Sequence, residues 1–176
     1  MSVTSEIDSP PVPASLAQQG IWFNERLGGV GTVYTMPFSV TFDGPLDVPA
    51  LTAACRALID RHPILASTVR ERQGVPYVVP AATPPAPVVA DVTAARRDDL
   101  MRAEILRPFD LAAGPLVRMT LYVEAAGRAT LLVVAHHLVF DGESTSVFLR
   151  DLAELYRDEL LELLIRHLGR QGDDLR

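Results

Sequence analysis

Ala135-His136-His137-Leu138-Val139-Phe140-Asp141-Gly142-Glu143-Ser144 is the stretch from which the rest of the chain is read. Before it, residues 130–135 form a short, continuous, partly β-branched apolar run, which reads as a buried strand. After it, residues 144–168 carry apolar side chains at helical spacing. The two histidines, the Asp and the Gly therefore fall at a strand end and on a tight turn into a helix. Such a junction lifts side chains out of a sheet at a fixed place. Histidine is the side chain whose ordinary pKa lies near neutrality, so it can take and return protons. An Asp four residues later can orient a ring, or anchor the turn by pairing with an Arg. A Gly permits backbone angles that other residues resist.

Working upstream, residues 116–124 and 128–136 read as two paired strands around Ala126 and Gly127. Residues 96–106 form a charged helix with a partial apolar face, stopped by Pro108. Residues 88–92 form a brief strand, and the Pro- and Ala-rich residues 81–87 a surface connection. Residues 68–72 and 75–79 pair around Gln73 and Gly74. Asp47 caps a helix with Pro49 in its first turn and Leu51, Ala54, Cys55, Leu58 and Ile59 on one face. Residues 34–42 alternate as a half-buried strand whose Pro37 indicates an edge or a strand start. Ser15 opens a helix, with Gln18 completing a capping box and Trp22 and Phe23 as core anchors. Residues 1–14 form a loose lead-in and 169–176 a polar tail.

Composition narrows the function classes. A chain of 176 residues, 48% hydrophobic and 22% charged, fits one soluble globular domain with a sizeable core. The net charge of −6 argues against nucleic acid as the main partner. All sixteen basic residues are Arg, which we read as codon bias. The single Cys55 excludes an internal disulfide and falls on a core face. No run is long enough to span a membrane and no signal-peptide pattern opens the chain, so a cytoplasmic location is expected.

The motif His136-His137-x-x-x-Asp141-Gly142 resembles the HHxxxDG signature of nonribosomal peptide synthetase condensation domains, shared with other acyltransferases such as chloramphenicol acetyltransferase. Three further segments resemble that family. Ser15-x-Ala17-Gln18-x-x-x-Trp22-Phe23 is similar to its first core motif. Arg61-His62-Pro63-Ile64-Leu65 is similar to its RHxxLRTxF motif, with Ala66, Ser67 and Val69 departing from it. Residues 108–118 are similar to its PFDLxxGPLxR element.

The resemblance implies an α/β fold, a chloramphenicol acetyltransferase-like lobe with a mixed β-sheet flanked by helices. It implies that residues 15–168 are the N-terminal, histidine-bearing lobe of a two-lobed condensation domain. Such a domain joins an acyl or peptidyl thioester to an aminoacyl thioester, both carried on phosphopantetheine arms of carrier proteins. His137 then takes the proton of the attacking amine or positions that amine. His136 packs inward and Asp141 anchors the turn. Gly142 permits the turn and close approach of the pantetheine arm or oxyanion. If the first Arg of the second motif pairs with the motif Asp, Arg61 supplies it; if the second, Ala66 stands in its place. No metal and no directly bound cofactor are implied. The expected partners are carrier proteins and a second lobe, or a second copy through residues 160–168, where leucines cover more than one helix face. Glu143, where the family commonly has Trp, keeps an ester-forming or epimerising activity open, and a carrier-binding module without catalysis remains a third possibility.

Overall fold

The computed structural model describes residues 12–173 apart from Ala126, with side chains described over 13–163. Eleven elements and a 3₁₀ turn follow in order: β1 Val12–Pro13, α1 Leu16–Leu27, β2 Thr35–Asp43, α2 Val48–Arg61, the 3₁₀ turn Pro63–Ala66, β3 Ser67–Arg72, β4 Val75–Pro80, β5 Val88–Val92, α3 Ala94–Leu106, β6 Val117–Glu124, β7 Arg128–His136 and α4 Gly142–Asp173.

The strands make two sheets rather than one. A four-stranded sheet runs β2-β7-β6-β5, and a three-stranded sheet runs β1-β4-β3. The larger sheet is mixed, because β5 pairs parallel to β6 while the other pairings are antiparallel. β7 is one of its inner strands and is buried from Ala129 to its end. That is why residues 130–135 are apolar without alternation: both faces of the strand are covered. Leu131, Val133 and Ala135 pack with Leu51, Leu58, Phe148 and Leu152 of α2 and α4. Leu132 and Val134 face the other way, with Tyr122, against Leu100, Met101 and Ile105 of α3. Each fully buried Leu or Val side chain stabilises the fold by roughly 1.5–3 kcal/mol.

Local sequence rules place the helices. Asp47 accepts the Ala50 N–H at 2.8 Å and caps α2. Cys55 lies in the core, where burial pushes its thiol up to about 12. β2 lies at a sheet edge, which accommodates Pro37, and it presents Phe38 inward to Phe140 and Phe148.

Three expectations need correction. The last part of the lead-in is held in place: Val12 and Pro13 pair with Val78 and Tyr77, and Ala14 is buried. Phe23 is no core anchor, being 56% exposed, while Trp22 packs on the core as read. α4 continues through Gly169 to Asp173, so the expected polar tail is helical as far as that residue. Of the leucines at 160–168, Leu160, Leu161 and Leu163 are exposed, and the side chains beyond residue 163 lie outside the described residues. Among the described residues no helix is long and apolar enough to cross a membrane.

Candidate functional site

β7 delivers its last residue, His136, opposite Thr35 of β2. The next amide, that of His137, still donates to the Tyr34 carbonyl at 2.8 Å. The chain then turns tightly, with the Val139 N–H donating to the His136 carbonyl at 3.0 Å. α1 braces this turn. Ser15 and Gln18 form a reciprocal capping box, and the Gln18 side-chain amide also donates to the Leu138 carbonyl at 2.8 Å.

The two histidines part here. His136 is 2% exposed. Its Nδ1 accepts the Leu138 N–H at 3.2 Å, so the neutral ring carries its proton on Nε2 and donates to Glu25 Oε1 at 3.2 Å. Phe109 meets the ring edge-on, with centroids 5.5 Å apart. Burial holds the His136 pKa below its ordinary value; Glu25 opposes this and the neighbouring His137 adds to it.

His137 is partly exposed and lines a cavity of about 470 Å³ with Ala17, Gln18, Ile21 and Ile64. Its Nδ1 lies 2.8 Å from the Phe140 carbonyl oxygen. A carbonyl only accepts, so Nδ1 bears the proton, and the neutral ring leaves the Nε2 lone pair unshared. Phe140 itself is fixed by stacking on Phe38 and by edge contact with Phe148. A ring held in one tautomer, in a cavity, can take a proton at Nε2 or accept a hydrogen bond there.

Asp141 does not pair with Arg61. Its Oδ1 accepts from the Ser144 N–H at 2.9 Å and from the Ser144 hydroxyl at 2.6 Å, while its own N–H donates to Ser144 Oγ at 3.2 Å. It is the exposed N-cap of α4, and the bonds from Ser144 hold its carboxyl below the usual range. Arg61, the last residue of α2, reaches Glu154 of α4 at 3.2 Å instead. Gly142 is the first residue of α4 and is not in a left-handed conformation. The turn therefore does not depend on glycine's backbone freedom. A Cβ there would meet nothing within 4 Å, so the space beside it is open.

Glu25, Ser144 and Asp151 were given no role from the sequence, and Gln18 was read only as a helix cap and motif residue. For Glu25 a signal existed: it shares one face of α1 with Gln18 and Trp22 at i, i+4 and i+7.

The mixed sheet under helices, ending in a His-His-x-x-x-Asp-Gly turn, defines a lobe of the chloramphenicol acetyltransferase-like fold. The family model described as the condensation domain matches residues 10–167, and the chain belongs to that family. It is 37% identical over 145 residues to CymA of Salinispora arenicola, a probable non-canonical nonribosomal peptide synthetase, covering 82% of this chain and 2% of that protein. It is 38% identical over 155 residues to chondramide synthase cmdD of Chondromyces crocatus, covering 82% of this chain and 4% of that protein. Among solved structures, the first condensation domain of the CDA synthetase superposes with a TM-score of 0.75 at 25% identity, over 85% of this chain and 40% of that one. The starter condensation domain of rhizomide synthetase RzmA shares the fold, with a TM-score of 0.77 at 24% identity, over 84% of this chain and 38% of that one. The chain thus spans about two fifths of these solved condensation domains.

Proposed function

We propose that this chain is the donor-side lobe of a condensation domain that forms an amide between two carrier-bound thioesters. The observation that carries this reading is the His137 hydrogen bond to the Phe140 carbonyl, which leaves Nε2 as the acceptor beside a cavity. The amine nitrogen of an aminoacyl thioester attacks the carbonyl carbon of an acyl or peptidyl thioester, and a C–N bond forms. Nε2 of His137 receives the proton the nitrogen sheds, or holds the amine in line by accepting its hydrogen bond. Collapse of the tetrahedral intermediate breaks the C–S bond, and the departing thiolate takes up a proton. Both substrates arrive on phosphopantetheine arms of carrier proteins, and the lobe binds no cofactor of its own. We place the assembly in the cytoplasm.

The lobe works with a second one. Reacting atoms must be held in register, and effective molarity falls steeply when one wall is missing. α1, which contributes Ala17, Gln18 and Ile21 to the His137 cavity, leaves Leu16, Phe23 and Leu27 exposed along another face. That apolar face is suited to packing against the second wall. The test mixes donor- and acceptor-loaded carriers with this chain, with and without a second lobe, and reads joined product by mass. Amide should form only with both lobes present. Product from the chain alone would refute the two-wall reading, and product only with an alcohol acceptor would replace amide by ester formation.

A further inference from the structure

A second imidazole-carboxylate pair lies on the far side of the wall beside His137. His62, the residue between α2 and the 3₁₀ turn, has its Nε2 2.8 Å from Oδ2 of Asp151 on α4. Asp151 is 6% exposed, on a helix face next to the core residues Phe148 and Leu152. A buried carboxylate is costly unless paired and hydrogen-bonded. The bond from His62, more than that from Arg150, holds its carboxyl below the usual range, so it accepts as the anion. The His62 backbone is tied as well: its N–H closes α2 on the Leu58 carbonyl and its carbonyl accepts the Leu65 N–H. Pro63 follows, and a proline with a restricted residue before it makes a stiff lever. That lever ends on Ile64. Ile64 lines the His137 cavity, and it also lines a neighbouring cavity of about 310 Å³ walled by His62, Phe140, Asp141, Val147 and Phe148.

We propose that His62, held by Asp151, is a positioning residue that sets the width of the groove at His137 by fixing Ile64 in the wall shared by the two cavities. It touches no reacting atom and acts through Ile64, so it governs which substrate side chains fit. Only the effect on selectivity rests on the amide-forming reading; the effect on Ile64 does not.

Two readouts test it. The first is the δ1 methyl resonance of Ile64 in the chain itself, which needs no activity. His62→Ala should move that resonance, and His62→Gln, whose amide N–H can reach Asp151, should return it. Asp151→Asn should move it in the same direction and serves in place of His62→Ala if that variant fails to fold. A resonance unmoved in His62→Ala, or one that Gln does not restore, overturns the proposal. The second readout compares kcat/KM for glycyl- and phenylalanyl-loaded acceptors in the two-lobe assembly. His62→Ala should shift that ratio about tenfold, the low end for a change in one pocket wall. Ile64→Ala should shift it alike, and the double variant no further, because both act on one wall. Shifts that multiply would show that His62 does not act through Ile64. An assembly that makes no amide with any acceptor would defeat the functional reading and leave the methyl experiment to decide this one.

Discussion

His136 and His137 are neighbours in sequence and opposites in structure. One is sealed beneath Phe109, its two nitrogens spent on the Leu138 N–H and Glu25. The other keeps one nitrogen for the Phe140 carbonyl and leaves the second to a cavity. A strand sends successive side chains to opposite faces, and the turn that begins at His136 sustains the split. Position in a motif therefore says little about role; the number of nitrogens already spoken for says much more.

The largest effect expected from this contrast is on catalysis. His137→Ala should lower product formation in the two-lobe assembly by roughly 10²–10⁴-fold, the usual range for loss of a general base. The melting temperature should stay near the parent's, since the ring's one bond is to a turn carbonyl. A loss well under that range would assign His137 to holding the amine rather than taking its proton. Turnover at the parent rate would erase the distinction between the two rings.

His136→Ala should do the reverse and act first on stability. It strands the buried Leu138 N–H, which costs roughly 1–3 kcal/mol, and it opens space under Phe109. A thermal melt should show a fall of several degrees. An unchanged melt would mean that the buried ring is not structural.

Asp141→Ala removes the cap of α4 and should lower the melting temperature by a few degrees at most. Arg61→Ala should change it little, because its pair with Glu154 is exposed. The two losses should add, because the residues share no contact. A double variant less destabilised than the sum would restore the pairing of Arg61 with Asp141 that the motif resemblance suggested.

What could be read in advance divides along the same line as the two histidines. The central strand, the turn and the start of α4 were legible because burial on both faces of β7 and the caps at Ser15 and Asp47 are written within a few residues. The apolar side of α2 was legible for the same reason. The partners of the site were not. Glu25 is 111 residues from His136, Gln18 is 120 from Leu138, and Asp151 is 89 from His62. No periodicity encodes such a meeting; the packing of α1 against the end of β7 and of α2 against α4 brings it about. Phe23 was misread because an aromatic on a helix looks like core wherever it falls, and the face it occupies depends on what lies beneath the helix. Asp141 anchors the turn, but its partner is the local Ser144, three residues away, rather than an Arg.

The smallest effect is the dependence of stability on pH. The folded His136 pKa lies below its ordinary value near 6.5, chiefly because the ring is buried. The unfolded chain therefore binds a proton at that position before the folded one does as the pH falls. Unfolding free energy rises with pH wherever the unfolded state holds more protons, so this group's contribution is fully present above pH 6.5 and is lost as the pH drops toward the folded pKa. One proton sets a ceiling of about 1.4 kcal/mol per pH unit on the slope. The depressed carboxyls of Asp141 and Asp151 act elsewhere: their contribution is present above about 3.8 and is lost below it, through their folded values. Urea melts of the parent and of His136→Gln from pH 7.5 to 5 therefore separate the ring from the carboxylates. The parent should weaken below pH 6.5 more steeply than the variant, which has no ring to protonate. Parallel profiles would mean that the folded ring protonates as readily as the unfolded one, which a sealed imidazole donating to Glu25 cannot do without breaking the Leu138 bond.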